Sequence, residues 1–457
     1  MSSLALDAAA DVPTPGRAAL AHIPGDDGWP IVGDTFNFLA DPLAAVERMV
    51  ARYGLCYRSR VFGIRTVALL GPDGIGLMLF DQTKLFSSTA GWEPFLGRLF
   101  PRGLMLLDFD EHRLHRRTLS VAFKSGPLKS YLAALNAGIS LRIAEWRHGP
   151  ADLRFYPAIK QLTLDLASTA FLGEALGAEV DAIKRAFIDA VAASAAVIRT
   201  PLPGTAMRRG VLGRALIVDY FTRQVPLRRE RGGEDLFSQL CRATHEDGSL
   251  MSASDIADHM NFLMMAAHDT LTSSLSAFVW FLCEHPEWQA KLRAEVAGLG
   301  LAPGEPLPFE RLDELRLTEM AFKEAMRLIP PVISLPRRAQ REFTFAGLRI
   351  PAGTRVNTSI LFAHHMPEIW PDPGHFDPLR FTEENSRVRH RFAYAPFGGG
   401  AHMCLGLNFA YMQAKCFAYH LLGTTDVSVA RGYRPLWQMV PIPKPRDGLP
   451  IRLARLA

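Results

Sequence analysis

The sequence predicts a mainly helical domain with a small β portion, and three observations carry that expectation. The segment from Ser252 to Glu284 opens on a polar cap, closes at "HPEW" and has apolar residues on nearly every face after Asn261. It therefore predicts one long buried helix, roughly 45–50 Å at 1.5 Å per residue. From about residue 111 to 330 the apolar spacing is mostly helical, and strand signals are confined to the flanks. No internal repeat or linker divides the 457 residues, so a flexible leader, 1–22, is expected ahead of a single domain, 23–457.

In chain order, "IPGDDGWPIVGD" is punctuated by Pro and Gly and reads as an irregular surface segment. "DPLAAVERMVARYG", from Asp41, reads as a capped helix closed by Gly54. "YRSRVF" and "RTVALLG" read as two short strands joined at "GI". "RLTEMAFKEAMRLI" reads as a helix stopped by Pro330 and Pro331. "RRAQREFTFAGLRIPAGTRVNTSI" alternates and holds a Pro-Ala-Gly turn, so it reads as strands. A last helix is expected from Leu405 to Leu421.

Composition narrows the function. A hydrophobic fraction of 48% is too high for disorder and ample for a core. The five cysteines, Cys56, Cys241, Cys283, Cys404 and Cys416, form no CxxC pair, which argues against a zinc site or a redox dithiol. The N-terminus lacks a signal-peptide pattern, and no stretch is apolar for long enough to span a bilayer, so a soluble, cytoplasmic protein is expected. A net charge of +5 without a basic run interleaved with aromatics argues against nucleic acid as a partner. A local basic face for an acidic protein remains open.

The segment "APFGGGAHMCLGLNFAYMQAK" concentrates the chemistry. Cys404 stands at the N-terminal end of a predicted helix, where free N–H groups and the positive dipole end favour a thiolate. Gly398, Gly399 and Gly400 permit a tight turn, Gly406 removes a side chain beyond the sulfur, and Phe397 can shield it from water. By itself the segment fits a thiolate ligand to haem iron or a buried apolar cysteine at a glycine-rich turn. Glu324 and Arg327 in "EAMR" are three apart and share a helix face, as a solvated ion pair or as part of a buried network. His112 and Arg116, four apart, also share a face.

"FGGGAHMCLG" resembles the cytochrome P-450 signature through Phe397, Gly400, His402, Cys404 and Gly406. Three further motifs agree in family order: Asp269 and Thr270 in "AAHDTLT", Glu324 and Arg327 in "EAMR", and Arg380 in "FDPLRF". The resemblance spans residues from about 24 to the C-terminus. It implies the cytochrome P-450 fold, with haem b between the long central helix and the cysteine loop. It implies Cys404 as iron ligand and His112, Arg116, Arg337 and His402 as partners of the haem propionates. Of the adjacent Arg116 and Arg117, the family pattern selects Arg116 to point inward. Glu324, Arg327 and Arg380 become a structural network that holds the cysteine loop. Asp269 and Thr270 become the pair that passes protons to bound dioxygen. Ala267 stands where Gly is frequent in the family, which tightens the oxygen groove, and His268 either satisfies a core hydrogen bond or titrates beside the proton path.

The implied activity is insertion of one oxygen atom from O2 into a hydrophobic small molecule. Two alternatives remain in view: a peroxide-using haem-thiolate enzyme, and a haem-binding sensor without turnover. The sequence carries no flavin or iron–sulfur motif, so a ferredoxin and its reductase are the expected electron donors. Arg113, Arg117, Lys124 and Lys415 are candidates for a basic docking face near the cysteine side. The segments "GWEPFLGRLFPRGLMLL", "AVAASAAVIRTPLPG", "NFLMMAA", "PPVISLP" and "PLWQMVPIP" are mainly apolar candidate pocket walls. "IPGDDGWPIVGDTFNFL" is similar to the leader of the branch that oxidises retinoids, sterols and related terpenoids, which points to a substrate of that class.

Overall fold

The computed structural model describes residues 12–149, 152–173, 179–194, 196 and 199–456. Local signals set its first elements. Helix α1 (Pro42–Tyr53) starts where the Asp41 carboxylate accepts the Ala44 N–H at 3.0 Å, and it ends at Gly54, whose φ of 80° suits glycine. The hairpin that follows pairs β2 (Cys56–Val61) with β3 (Ile64–Leu69). Together with β1 (Gly25–Asp26), β4 (Phe86–Ser87), β5 (Ser334–Ala339) and β6 (Arg355–Ser359), it builds one sheet in the order β1-β2-β3-β6-β5-β4. The sheet is mixed: β1 runs parallel to β2 and β3 parallel to β6, and the other pairs are antiparallel. It buries Val67, Leu69 and Val356 in a small core of its own, to which Ile350 of a separate hairpin also belongs.

The expected leader, 1–22, is described only from Val12 onward. There Leu20 is buried in the core under the sheet, so this part of the leader packs against the domain.

Five further helices position the site: α2 (Phe109–Ser120), α3 (Phe155–Leu172), α4 (Ala253–Glu284), α5 (Arg316–Leu328) and α6 (Leu407–Leu422). The long helix α4 is the spine of the main hydrophobic core. The Ser252 hydroxyl accepts the Asp255 N–H and caps it, and Pro286 stops it. Burial on nearly every face is compatible with most of its hydroxyls because four of them find a carbonyl four residues back, whereas the buried Ser273 hydroxyl has no partner among the described residues. Thr270 donates to Ala266, Thr272 to His268, Ser274 to Thr270 and Ser276 to Thr272. Among the described residues, no helix is long and apolar enough to cross a membrane.

Helix α5 ends in the most deeply buried ion pair among the described residues. Arg327 donates from Nε to Glu324 Oε2 at 2.7 Å and from Nη2 to Oε1 at 2.8 Å, with both side chains 0% exposed. Arg380 Nε lies 3.3 Å from Glu324, and the Asp377 N–H donates to the same carboxylate. Arg327 also donates to the carbonyls of His364, Pro373 and His375. His364 extends the network to the cysteine segment. Its Nδ1–H donates to the Arg327 carbonyl at 3.2 Å, and its Nε2 accepts the Ala395 N–H at 3.1 Å. These two bonds fix the tautomer, and burial together with the Arg327 charge keeps the ring neutral, its pKa well below 6.5.

A buried ion pair with one partner removed leaves an uncompensated charge, which costs about 3–5 kcal/mol. Glu324→Ala is therefore expected to lower the unfolding free energy measured in urea by an amount in that range, with a lower midpoint, or to abolish folding. An unchanged midpoint would show that the pair contributes no more than a surface salt bridge.

Candidate active site

Cys404 lies in the turn between the 3₁₀ segment Gly400–His402 and α6. The helix begins at Leu407, two residues later than the sequence suggests, because Leu405 and Gly406 form the preceding turn and Gly406 serves as N-cap. Gly400 has φ 60°, and a Cβ there would stand 1.9 Å from the Leu79 carbonyl oxygen, so only glycine lets this turn approach its neighbour. The Phe397 carbonyl accepts the Cys404 N–H at 2.9 Å, and the Phe397 ring packs 5.3 Å from Tyr411. The Cys404 side chain is enclosed by protein yet remains accessible, as expected of a group that lines an internal space. Burial pushes its thiol pKa up, against the opposing pull of the Gly406 N–H and the Arg116 charge. A metal ion reverses that balance, since coordination deprotonates a thiol outright. A Cβ on Gly406 would meet nothing closer than Phe123 at 3.8 Å, so the backbone beside the sulfur is open to a large flat group.

Four of the expected propionate partners come together beside this turn. The His112 and His402 rings lie 3.9 Å apart, tilted by 31°. Burial, then the Arg116 and Arg337 charges, push the His112 pKa down to about 4. Burial and the His112, Arg337 and Arg116 charges hold His402 well below 6.5. Burial lowers the Arg337 pKa to about 10. Among the described residues neither Arg116 nor Arg337 has an ion-pair partner, and the buried His112 Nε2 has no hydrogen-bond partner. Unpaired guanidiniums and an unpartnered ring nitrogen fit the two carboxylates of haem b. Arg117 points outward to Glu246 while Arg116 is half-buried.

Across α4, Met265, Ala266, Ala267 and Thr270 are only partly buried, whereas residues on either side are fully buried. Ala266 and Ala267 pack on the same core as Phe397 and Leu405 of the cysteine segment. The Thr270 hydroxyl donates to the Ala266 carbonyl at 2.7 Å. Asp269 points elsewhere, toward α3: its carboxylate lies 3.0 Å from Lys160 Nζ and 3.1 Å from His268 Nδ1. Burial raises its pKa, but His268 and Lys160 outweigh that and hold it down at about 2. His268 Nε2 donates to the Lys160 carbonyl at 3.0 Å, so this ring satisfies a core hydrogen bond. Thr272 is tied to Thr163 on α3 at 2.8 Å.

Two residues in this architecture carry no signal in the sequence. Lys160 reaches Asp269 from another helix, and His364 joins the ion-pair network to the cysteine segment. The expected basic face needs one correction. Lys415 is buried on α6 and paired with Glu319 at 2.6 Å, so it is not available to a partner. Arg113 pairs with Asp110 and Arg117 with Glu246. Lys124 is exposed, next to the Phe123 that borders Gly406. The candidate pocket segment at 190–204 lies partly outside the described residues.

The Cytochrome P450 family model matches residues 215–441. "Putative cytochrome P450 136" of Mycobacterium tuberculosis is 38% identical over 447 residues, covering 96% of this chain and 90% of its own. "Taxane 13-alpha-hydroxylase" of Taxus cuspidata is 27% identical over 454 residues, covering 94% of this chain and 91% of its own. The structure titled "Retinoic acid bound cyanobacterial CYP120A1" superposes with a TM-score of 0.84 at 28% identity, covering 95% of this chain and 99% of that one. Similarity of that extent, running through the cysteine turn and the long helix alike, places the chain in the cytochrome P450 family, as a haem-thiolate monooxygenase that carries haem b.

Proposed function

We propose that the protein hydroxylates a large lipophilic substrate of the terpenoid, steroid or retinoid class, with electrons from a ferredoxin and its reductase. The observation that carries this reading is the partly buried face of α4: Met265, Ala266 and Ala267 are apolar, and Thr270 is the one hydroxyl among them. Trp92, Phe95 and Met105 from the segment before α2 and Met439 near the C-terminus are partly buried against the same core. Such walls recognise shape and apolar area and offer no charge to a polar guest. A taxane hydroxylase among the relatives and a retinoic-acid complex among the structural neighbours support the substrate class.

Bound haem supplies the redox chemistry that divides dioxygen between substrate and water. The chain's own residues do the rest. Cys404 is the iron ligand, and its turn is held by the Phe397 carbonyl and by the His364 bond to Ala395. His112, Arg116, Arg337 and His402 neutralise and orient the propionates. Thr270 holds or releases its hydroxyl proton at the Ala266 carbonyl. Asp269, charged and tied to Lys160 and His268, moves protons toward that hydroxyl through water. Glu324, Arg327 and Arg380 keep the cysteine segment in place. Lys124, exposed beside the cysteine turn, is the basic side chain best placed for an acidic ferredoxin.

Three outcomes are expected. Diterpenoids, sterols and retinoids shift the haem spin state in a titration, and small charged compounds do not; the reverse pattern would remove the substrate assignment. Cys404→Ala loses the red-shifted carbon monoxide band of thiolate-bound ferrous haem, and a retained band would sink the ligand assignment. Thr270→Ala keeps that band and substrate binding but consumes reductant with hydrogen peroxide released in place of product. Thr272 cannot replace it, since its hydroxyl is committed to Thr163 and His268 on the α3 side. The measurement is product formed per reductant consumed, with a surrogate ferredoxin as donor. An unchanged ratio would take Thr270 out of the mechanism.

A further inference from the structure

The β2–β3 hairpin carries a charge arrangement that the monooxygenase reaction does not use. Arg60 and Arg65 sit directly opposite each other in the register. Like charges in that position repel. Arg58, two residues before Arg60, shares its face of the strand. A single carboxylate answers them. Asp27 lies 3.2 Å from Arg58, 3.6 Å from Arg60, 3.3 Å from Arg65 and 3.5 Å from Arg17. Among the described residues no other carboxylate lies within ion-pair distance of these four guanidiniums. Three of the four side chains are only about one-fifth exposed, at 19%, 19% and 22% for Arg58, Arg60 and Arg65. Partly desolvated cations in excess over their counter-charge are costly, and an added oxyanion offsets that cost.

Space for one lies beside them. A cleft of about 320 Å³ opens at the hairpin, and its walls include Thr14, Arg60, Gly63, Arg65 and Thr354. Asp27 occupies one end of the Arg60 and Arg65 guanidiniums, and the cleft borders the same two side chains. A guanidinium has five N–H donors in a planar fork, more than one shared carboxylate can accept.

We propose that this cleft binds a phosphate group, held by the Arg60 and Arg65 guanidiniums. Free phosphate and the headgroup of an anionic phospholipid present the same oxyanion. The surface next to the cleft suits the second source as well. Trp29 and Ile31 are 72% and 81% exposed, and Phe62 at the hairpin tip is 43% exposed. Their backbone runs beside the cleft wall: Phe62 precedes Gly63, the Ile31 carbonyl lies against Gly63, and Trp29 bridges to Gly33, which bridges to Val61.

The test uses the haem-loaded full chain. Thermal melting is followed with inorganic phosphate against chloride at fixed ionic strength. Sedimentation is followed with vesicles of phosphatidylcholine, alone or mixed with phosphatidylglycerol. Phosphate is expected to raise Tm saturably, and its apparent affinity is expected to fall about tenfold or more in Arg60→Gln/Arg65→Gln, the loss that follows from removing charge-assisted hydrogen bonds. Asp27→Asn removes the competing carboxylate and is expected to tighten phosphate binding, which keeps the idea testable if the double variant does not fold. A saturable Tm shift without vesicle preference assigns free phosphate. Sedimentation with the phosphatidylglycerol vesicles only, lost in the double variant, assigns the lipid headgroup. No shift and no vesicle preference in the wild type, an effect undiminished in the double variant, or weaker or unchanged phosphate binding in Asp27→Asn overturns the proposal.

Discussion

The buried pair of Glu324 and Arg327 is the constraint on which the site depends. Two full charges without solvent are tolerable only if every lone pair and proton is matched. Here the matching groups come from backbone far along the chain: the carbonyls of His364, Pro373 and His375 and the N–H of Asp377. The pair therefore fixes the course of the whole stretch that leads to the cysteine segment. His364 completes the connection with side-chain bonds to Arg327 on one side and Ala395 on the other. The electrostatic demand of one helix end is thereby transmitted to the turn that presents Cys404.

The opposite wall solves a different problem. Helix α4 must be buried to form the core and must also carry polar groups. Four of its hydroxyls resolve the conflict by bonding inside the helix, which leaves Thr270 satisfied yet free to exchange that bond for another at small cost. Side chains on the α3 side are fastened across the interface, Thr272 to Thr163 and His268 to Lys160. One helix thus has a locked face and a face whose polar group can change partner.

What was legible in the sequence follows from distance along the chain. The long helix, the Asp41 cap with its closing Gly54, the Glu324–Arg327 spacing and the glycine turn before Cys404 are local patterns, and each stands where it was read. The first residue of α6 was misplaced by two because Leu405 is apolar enough to read as helix while the backbone is still turning. Lys415 looked like surface charge because nothing in its neighbourhood announces Glu319, nearly a hundred residues earlier. Lys160 and His364 were invisible for the same reason. Their partners, Asp269 and Ala395, are defined by the packing of helices and loops rather than by spacing.

The pairing of Asp269 also bears on how its proposed role must work. A carboxyl whose pKa is held down at about 2 is a poor resident acid at neutral pH, because it is almost never protonated there. In the proposed relay it acts as a fixed negative charge that attracts and orders protonated water. His268 and Lys160 keep it ionised against burial, and Lys160, with a side chain 37% exposed, reaches from the buried carboxylate to the surface. The carboxylate and Thr270 are consecutive on α4, so one faces the surface-connected Lys160 and the other the partly buried face opposite the cysteine segment. In the proposed relay the carboxylate and the hydroxyl are then separated by a single residue step of about 100° around the helix.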